Sequence, residues 1–262
     1  MVNIIAPKNR RLVWYLALEE YIGQHLDLFP DGAFFTWSVE PTVIFGRHQV
    51  MEQEVNLSYC HAHSIHIYRR KSGGGCVYAD RGNLMLSYIT PSVHPEQVFQ
   101  TYLDTIAGLL TQLGLPAVKS EHNDILVDGK KVSGNACYAL KTGTIVHGTM
   151  LYDVDFTALE QAITPTQEKL SKHGVKSVRQ RVMNLRPVLC STALQDKELA
   201  APRHNPTSAH TIDNINDLAA YLSSSLCPSS CELTEDQLLA VSLIEKTYLT
   251  PNVSMTNEEV TS

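Results

Sequence analysis

The chain has 262 residues, 44% of them hydrophobic and 18% charged, a composition that suits an ordinary globular protein with one large core. Twenty-one Lys and Arg against 27 Asp and Glu leave a formal net charge of −6, which argues against a general nucleic-acid binder but not against a local anion site. No apolar run reaches the ~18 residues of a membrane span, charged residues at 8–11 come too early for a signal-peptide core, and six scattered cysteines show no disulfide rhythm, so reduced thiols and a cytoplasmic location are expected.

Leu12, Tyr15, Leu16, Ile22 and Leu26 recur with a helical period, with Glu19 and Glu20 between them. Two strand-like runs follow at 33–39 and 42–45, divided by Glu40-Pro41, and a third lies around Ile65 and Ile67. The glycines 73–75 turn the chain into a strand at 76–78, and Asp80-Arg81-Gly82-Asn83 turns it again into a strand at 84–89. Pro95 opens an amphipathic helix that turns Val98, Leu103, Ile106 and Leu110 inward and closes at Gly114 and Pro116. A meander follows at 125–127, 131–138 and 144–152, with a hairpin turn at Asp128-Gly129 and another turn at Gly143. Asp155 is placed to cap a short helix through Ile163, whereas 164–212 has little periodicity. Two late helices are expected, at 215–226 and from Thr234, where Gln237 is spaced for a capping box. Residues 1–250 thus read as one domain and 251–262 as a flexible tail. Hairpins with helices between them predict an α+β fold with a mixed or largely antiparallel sheet and packed helices.

Three segments carry candidate chemistry. Arg69-Arg70-Lys71-Ser72-Gly73-Gly74-Gly75-Cys76-Val77-Tyr78 joins three cations to a triple glycine, a pairing that lets backbone amides and guanidinium groups approach an anion. The segment has no Gly-Lys-Ser/Thr and so is not a Walker A loop, and no helix follows, so it is not a Rossmann fingerprint. In the second segment, 123–136, a strand starting near Lys131 would put Lys131, Ser133 and Asn135 on one face and Lys130, Val132 and Gly134 on the other. The third, 167–187, holds six Lys and Arg against the single acid Glu168, a cationic patch in an acidic chain. Taken singly, each also reads as a solvated hairpin or loop. His61, His63 and His66 have no matching Cys or carboxylate set, and an exposed strand explains them better than a metal site.

Together the three segments resemble the lipoate–protein ligase family. The resemblance rests on Arg69-Arg70-x-Ser-Gly-Gly-Gly-x-Val-Tyr with Asp80-x-Gly-Asn83, on Asn123-Asp124 followed by Gly129-x-Lys131-Val-Ser-Gly-x-Ala, and on Lys169-Leu followed by Gly174-x-x-Ser-Val-Arg-x-Arg-Val-x-Asn-Leu. Ala17-Leu18-Glu19-Glu20, the run 43–49 and Glu54-Val55-Asn56 also match, in order, from about residue 10 to 190. The resemblance implies a catalytic domain related to biotin ligase and class II aminoacyl-tRNA synthetases. It implies ATP and lipoate as substrates, Mg²⁺ as a cofactor, and lipoyl transfer to a lysine of a lipoyl domain, in 2-oxoacid dehydrogenase E2 subunits or the glycine cleavage H protein. By position, Lys131 would be catalytic. Arg70, Gly75, Cys76, Val77, Tyr78, Asn83, Asn123, Asp124 and Lys131 would hold ATP and the adenylate, with Asp124 a candidate metal ligand. Arg70, Gly74, Gly75, Lys131, Ser133, Gly134, His147 and Gly148 would hold lipoate. Lys169, Lys172, Ser177, Val178, Arg179 and Arg181 would form a lid.

Two-domain members carry a further C-terminal domain, which this sequence is expected to lack. That expectation leaves a compact ligase, a ligase with a separate accessory subunit, or a transferase using preformed lipoyl-AMP. A related octanoyltransferase would place a cysteine ahead of the lysine motif, where this chain reads Lys119-Ser120-Glu121-His122-Asn123-Asp124. Biotin ligase is disfavoured because its arginine-rich glycine loop has no counterpart here. A domain that binds without turnover is disfavoured because the charged motif residues are all present.

Overall fold

The computed structural model describes residues 1–164, 181–190, 211–249 and the backbone of 254–255. In chain order its elements are β1 (Val2–Ile5), α1 (Leu12–Gln24), β2 (Ala33–Trp37), β3 (Thr42–Phe45), α2 (Met51–Glu54), α3 (Leu57–Ala62), β4 (His66–Arg69), β5 (Val77–Ala79) and β6 (Asn83–Thr90). There follow α4 (Pro95–Gln112), β7 (Ala117–Lys119), β8 (Asp124–Val127), β9 (Lys130–Ala139), β10 (Thr144–Leu151), α5 (Phe156–Ala162), α6 (Ile215–Leu226), β11 (Ser230–Glu232), α7 (Glu235–Lys246) and β12 (Ser254–Met255).

The strands form two sheets, an eight-stranded one ordered β11-β1-β2-β6-β10-β9-β8-β7 and a four-stranded one ordered β12-β4-β3-β5. Its long centre, β2-β6-β10-β9-β8, is antiparallel, as its hairpin turns dictate. Asp128 and Gly129 both have positive φ, 50° and 73°, the geometry of a two-residue type I′ hairpin loop. Parallel pairs enter where the chain crosses over, at β1–β2, β1–β11 and β3–β4. The architecture is therefore α+β with a mixed sheet, as expected from the sequence. β12 pairs with Ile67 and Tyr68 of β4, so two residues of the expected tail are built into a sheet edge.

Helices cover both faces of the large sheet. α4 and α6 bury Tyr102, Leu103, Ile106, Leu218 and Leu222 against Leu86, Ile125, Val132 and Val146. Pro at the first turn of α4 and Gly114 at φ +84° bound that helix as the sequence predicts. On the opposite face α1 lies between the sheet and α7, with Trp14, Leu18 and Ile22 meeting Phe35, Ile89 and Val241. That double contact explains why α1 is buried almost all round. A third core joins the small sheet to α2, α3 and α5 through Val43, Ile67, Val55, Cys60 and Leu159. Among the described residues no helix is long and apolar enough to cross a membrane.

Candidate active site

A cavity of about 370 Å³ lies between the two sheets. One wall comes from the small sheet and the glycine loop (Ile44, Gly74, Gly75, Val77, Tyr78), the other from the large sheet (Trp37, Met85, Lys131, Gly134, His147). One region is lined by Leu16, Trp37, Ile44 and Met85 and is largely apolar; another carries Asn123, Asp124, Lys131 and Arg181.

The glycine loop is held from inside by Arg70. Its Nε donates to Gly73 O at 3.0 Å, Nη1 to Ile44 O at 3.3 Å and Nη2 to Gly75 O at 2.6 Å. Burial pushes this guanidinium down to about 10. Gly74 has φ +97°, and a Cβ there would stand 2.7 Å from Arg70 Nη2, so both conformation and space demand glycine. The amides of Gly73, Gly74 and Gly75 donate to no group of the described residues, which leaves a run of donors at the cavity edge. Ser72, one residue upstream, is tethered to the large sheet by a 2.9 Å hydrogen bond between its Oγ and His147 Nε2.

Lys131 reaches the cavity because β9 is bulged. Ser133 pairs with Ile125, but Lys131 pairs with Leu126, so Val132 is an extra residue and the pleat changes parity there. The expectation that Lys131, Ser133 and Asn135 share a face is therefore corrected: Lys131 shares its face with Gly134. A Cβ on Gly134 would lie 2.4 Å from Lys131 Nζ, so the lysine lies directly over that bare backbone. Ser133 instead donates to Asn135 Oδ1 at 3.2 Å, on the α4 side of the sheet.

Asp124 is the counter-ion of the site. Its Oδ1 lies 2.8 Å from Lys131 Nζ in an ion pair, and its Oδ2 accepts from Arg181. Burial alone would raise the Asp124 carboxyl, but Lys131 and Arg181 outweigh it and hold it below the ordinary carboxylate value. Burial pushes the Lys131 ammonium down, and Asp124 opposes that shift. Arg181 is placed by the segment that follows it: Lys131 O accepts from Met183 N at 2.9 Å and Leu151 O from Leu185 N at 2.8 Å.

Asp124 and Glu54 are the carboxylates on the cavity lining, and no cluster of three metal-ligating side chains occurs among the described residues. A carboxylate such as Asp124, placed beside a run of open amides, fits Mg²⁺ that takes its remaining ligands from phosphates and water. It does not fit an all-protein cage.

The profile of the lipoyl protein ligase A/B catalytic domain matches residues 13–200. The chain belongs to this family. It is 37% identical over 208 residues to lipoate-protein ligase LplJ of Bacillus subtilis, covering 78% of this chain and 60% of that one. It is 38% identical over 178 residues to lipoate–protein ligase 1 of Staphylococcus aureus, covering 66% and 53%. The chain thus spans a little over half the length of these curated relatives. A solved lipoate-protein ligase A bound with ATP has the same fold, with a TM-score of 0.72 at 24% identity over 98% of this chain and 97% of that one. A chain from the bi-partite lipoate protein ligase system of Thermoplasma acidophilum superposes with a TM-score of 0.70 at 25% identity, covering 95% and 94%.

In this ligase-family domain the cavity brings together most of the residues singled out from sequence. Arg70, Gly74, Gly75, Cys76, Val77 and Tyr78 line it from the loop and β5. Asn123, Asp124, Lys131 and Gly134 line it from the β8–β9 hairpin, and His147, Gly148 and Arg181 complete the set. Gly148 contributes backbone only, since a Cβ there would meet Asn135 Oδ1 at 2.3 Å and Tyr102 Oη at 2.4 Å behind the sheet. Two assignments need correction. Ser133 is turned away by the bulge, and Asn83 is wholly buried at the start of β6 with no partner for its amide among the described residues. Neither lines the cavity. The lid residues Lys169, Lys172, Ser177, Val178 and Arg179 lie outside the described residues. The sequence reading did not single out Leu16, Trp37, Met85 or the carboxylate of Glu19 as site residues; the position of Glu19 three residues after Leu16 and three before Ile22, on the apolar face of α1, was the available signal for the last.

Proposed function

We propose that this domain activates lipoate with ATP to lipoyl-AMP and transfers the lipoyl group to a lysine of a lipoyl domain. The observation that carries the reading is that Lys131, turned inward by the β9 bulge, lines the same cavity as the glycine loop and the apolar side chains of Leu16, Trp37, Ile44 and Met85. In the first step a lipoate carboxylate oxygen bonds to the α-phosphorus of ATP and pyrophosphate leaves. Two anions must meet, so positive charge at the reacting oxygens is the main requirement. Lys131 supplies it, with Arg181 beside it. Mg²⁺, when bound through Asp124 and the phosphates, would add further neutralisation. In the second step the acceptor amine adds to the anhydride carbonyl, AMP leaves, and the amine loses its proton. Lys131 then steadies the developing oxyanion, and no protein nucleophile is required.

The names of the bacterial relatives and of the ATP-bound structure support both substrates. Thiol chemistry has little support, because burial pushes the Cys137 thiol up to about 11, opposite to the activation a nucleophilic cysteine needs. A second reading, in which the domain works with a separate accessory subunit, is favoured by the likeness to a chain of the archaeal bi-partite lipoate protein ligase system. Lipoate-dependent ATP–pyrophosphate exchange by the purified chain tests the first reading. Lys131→Ala should reduce exchange by about a hundredfold or more, the scale of losing one such electrostatic contact; undiminished exchange would remove Lys131 from its role. Transfer from supplied lipoyl-AMP without exchange would favour the second reading.

A further inference from the structure

Glu19 lies in the interior of α1 and is only 3% exposed, yet both its oxygens are engaged at the cavity wall. Oε1 accepts from Ser87 Oγ at 2.6 Å, and Ser87 Oγ accepts from Trp37 Nε1 at 2.9 Å. Oε2 is 3.2 Å from His147 Nδ1, and His147 Nε2 is 2.9 Å from Ser72 Oγ. One carboxylate therefore fixes two aromatic side chains of the cavity wall, Trp37 and His147, and reaches the glycine loop through the second.

The neighbouring charges do not duplicate this arrangement. Lys71 is committed to Glu20 at 2.8 Å, and the Arg70 guanidinium is committed to loop carbonyls. Burying a carboxylate carries a desolvation penalty, and replacing a buried ion pair by apolar side chains is often neutral or stabilising. Stability alone is thus a weak reason for a glutamate here. The chemistry of the wall gives a better one. With both ring N–H groups bonded into the chain of contacts, Trp37 and His147 add no unmet donor to a recess otherwise lined by Leu16, Ile44 and Met85. Such a surface suits the saturated or sulfur-bearing end of an acyl chain and penalises a polar terminus.

We propose that Glu19 is a positioning residue for the acid substrate, holding His147 as its Nδ1–H form and Trp37 through Ser87 so that the two rings shape the acyl recess. The proposal rests on the lipoate-activation reading above. Its test has two arms. Nitrogen-15 NMR of the substrate-free full chain reads the His147 ring directly: Nδ1 should be protonated, and a ring protonated at Nε2 alone would overturn the arrangement. Steady-state pyrophosphate exchange reads its consequence. Glu19→Ala should raise the KM for lipoate about tenfold or more while leaving the KM for ATP within about twofold, and Glu19→Gln, which can still accept from the ring, should stay within about threefold for both. Equal changes in the two KM values, or none, would reduce Glu19 to a structural role and overturn the proposal. Absence of lipoate-dependent exchange in the unmodified chain would instead overturn the activation reading, while the ring measurement still judges the hydrogen-bond arrangement.

Discussion

Lys131 and Gly134 form a close-packed pair that no spacing rule exposes. The lysine side chain crosses the backbone at Gly134, where a methyl group would sit 2.4 Å from Nζ and 2.6 Å from Cε. Both atoms belong to the far end of a long, intrinsically flexible side chain, so a Gly134→Ala protein should fold normally and the lysine should yield. Displacing a charge that must meet developing negative oxygen by an ångström or so is expensive in rate. We therefore expect Gly134→Ala to lose at least about tenfold in kcat/KM for pyrophosphate exchange, or about 1.4 kcal/mol of transition-state stabilisation, with a thermal midpoint near that of the unmodified chain. Full activity would show that Lys131 acts from another position. At this scale the sequence was informative about residue types and silent about direction: Lys131, Asp124 and Arg70 were all legible as candidates, but Ser133 was assigned to the wrong face because strict alternation hides an inserted Val132.

Among the elements, those defined by local chemistry were legible and those defined by remote neighbours were not. β3 and α6 run over the ranges that hydrophobic pattern and caps predict, and α4 begins at its Pro and ends two residues before its Gly. The capping box of α7 forms as spaced, with Gln237 N donating to Thr234 Oγ1 at 3.3 Å and Thr234 N to Gln237 Oε1 at 2.9 Å. Thr234→Ala removes one of these partners and should lower stability to urea by about 1 kcal/mol, with no effect on cavity chemistry; a loss in pyrophosphate exchange would mean that α7 reaches the site through α1. By contrast β1, β7 and β11 are no shorter than some strands the sequence did show, but each is largely exposed or half-buried, where the four-residue β3 is buried throughout, and so none carries an unbroken apolar run. They exist because a neighbouring strand offers unpaired backbone. Glu19 differs from these strands: it falls three residues after Leu16 and three before Ile22, on the face that α1 turns to the large sheet, and its burial comes from Ser87 and His147 there.

Seen as a whole, the molecule places its site where two sheets meet, so residues 70–78 and 123–131 converge although some fifty positions apart in the chain. Their order was readable as a family pattern; the apolar recess between them was not, because its side chains come from α1, β2, β3 and β6 and have no motif in common. The same burial controls the thiols. All six cysteines are free, with Cys190 exposed, while burial pushes Cys60, Cys137 and Cys227 each up to about 11. At pH 7.5 such a thiol is ionised to only about 3 parts in ten thousand, and its reactivity should climb with pH until it passes that value. Brief iodoacetamide treatment at pH 7.5 followed by peptide mass mapping should therefore label Cys190 ahead of these three and leave pyrophosphate exchange intact. Early labelling of Cys137 with parallel loss of activity would revive a thioester mechanism.

The contact between Asp124 and Lys131 also bears on when conformational freedom is given up. A lysine side chain carries about 2 kcal/mol of rotamer entropy, and here the ion pair at 2.8 Å, with Gly134 beneath it, restricts that freedom during folding, before any nucleotide arrives. On the proposed function, substrate would meet a charge already aimed, and little of its binding energy would go into ordering Lys131. In calorimetric terms, severing the pair should show itself first as a less favourable entropy of nucleotide binding.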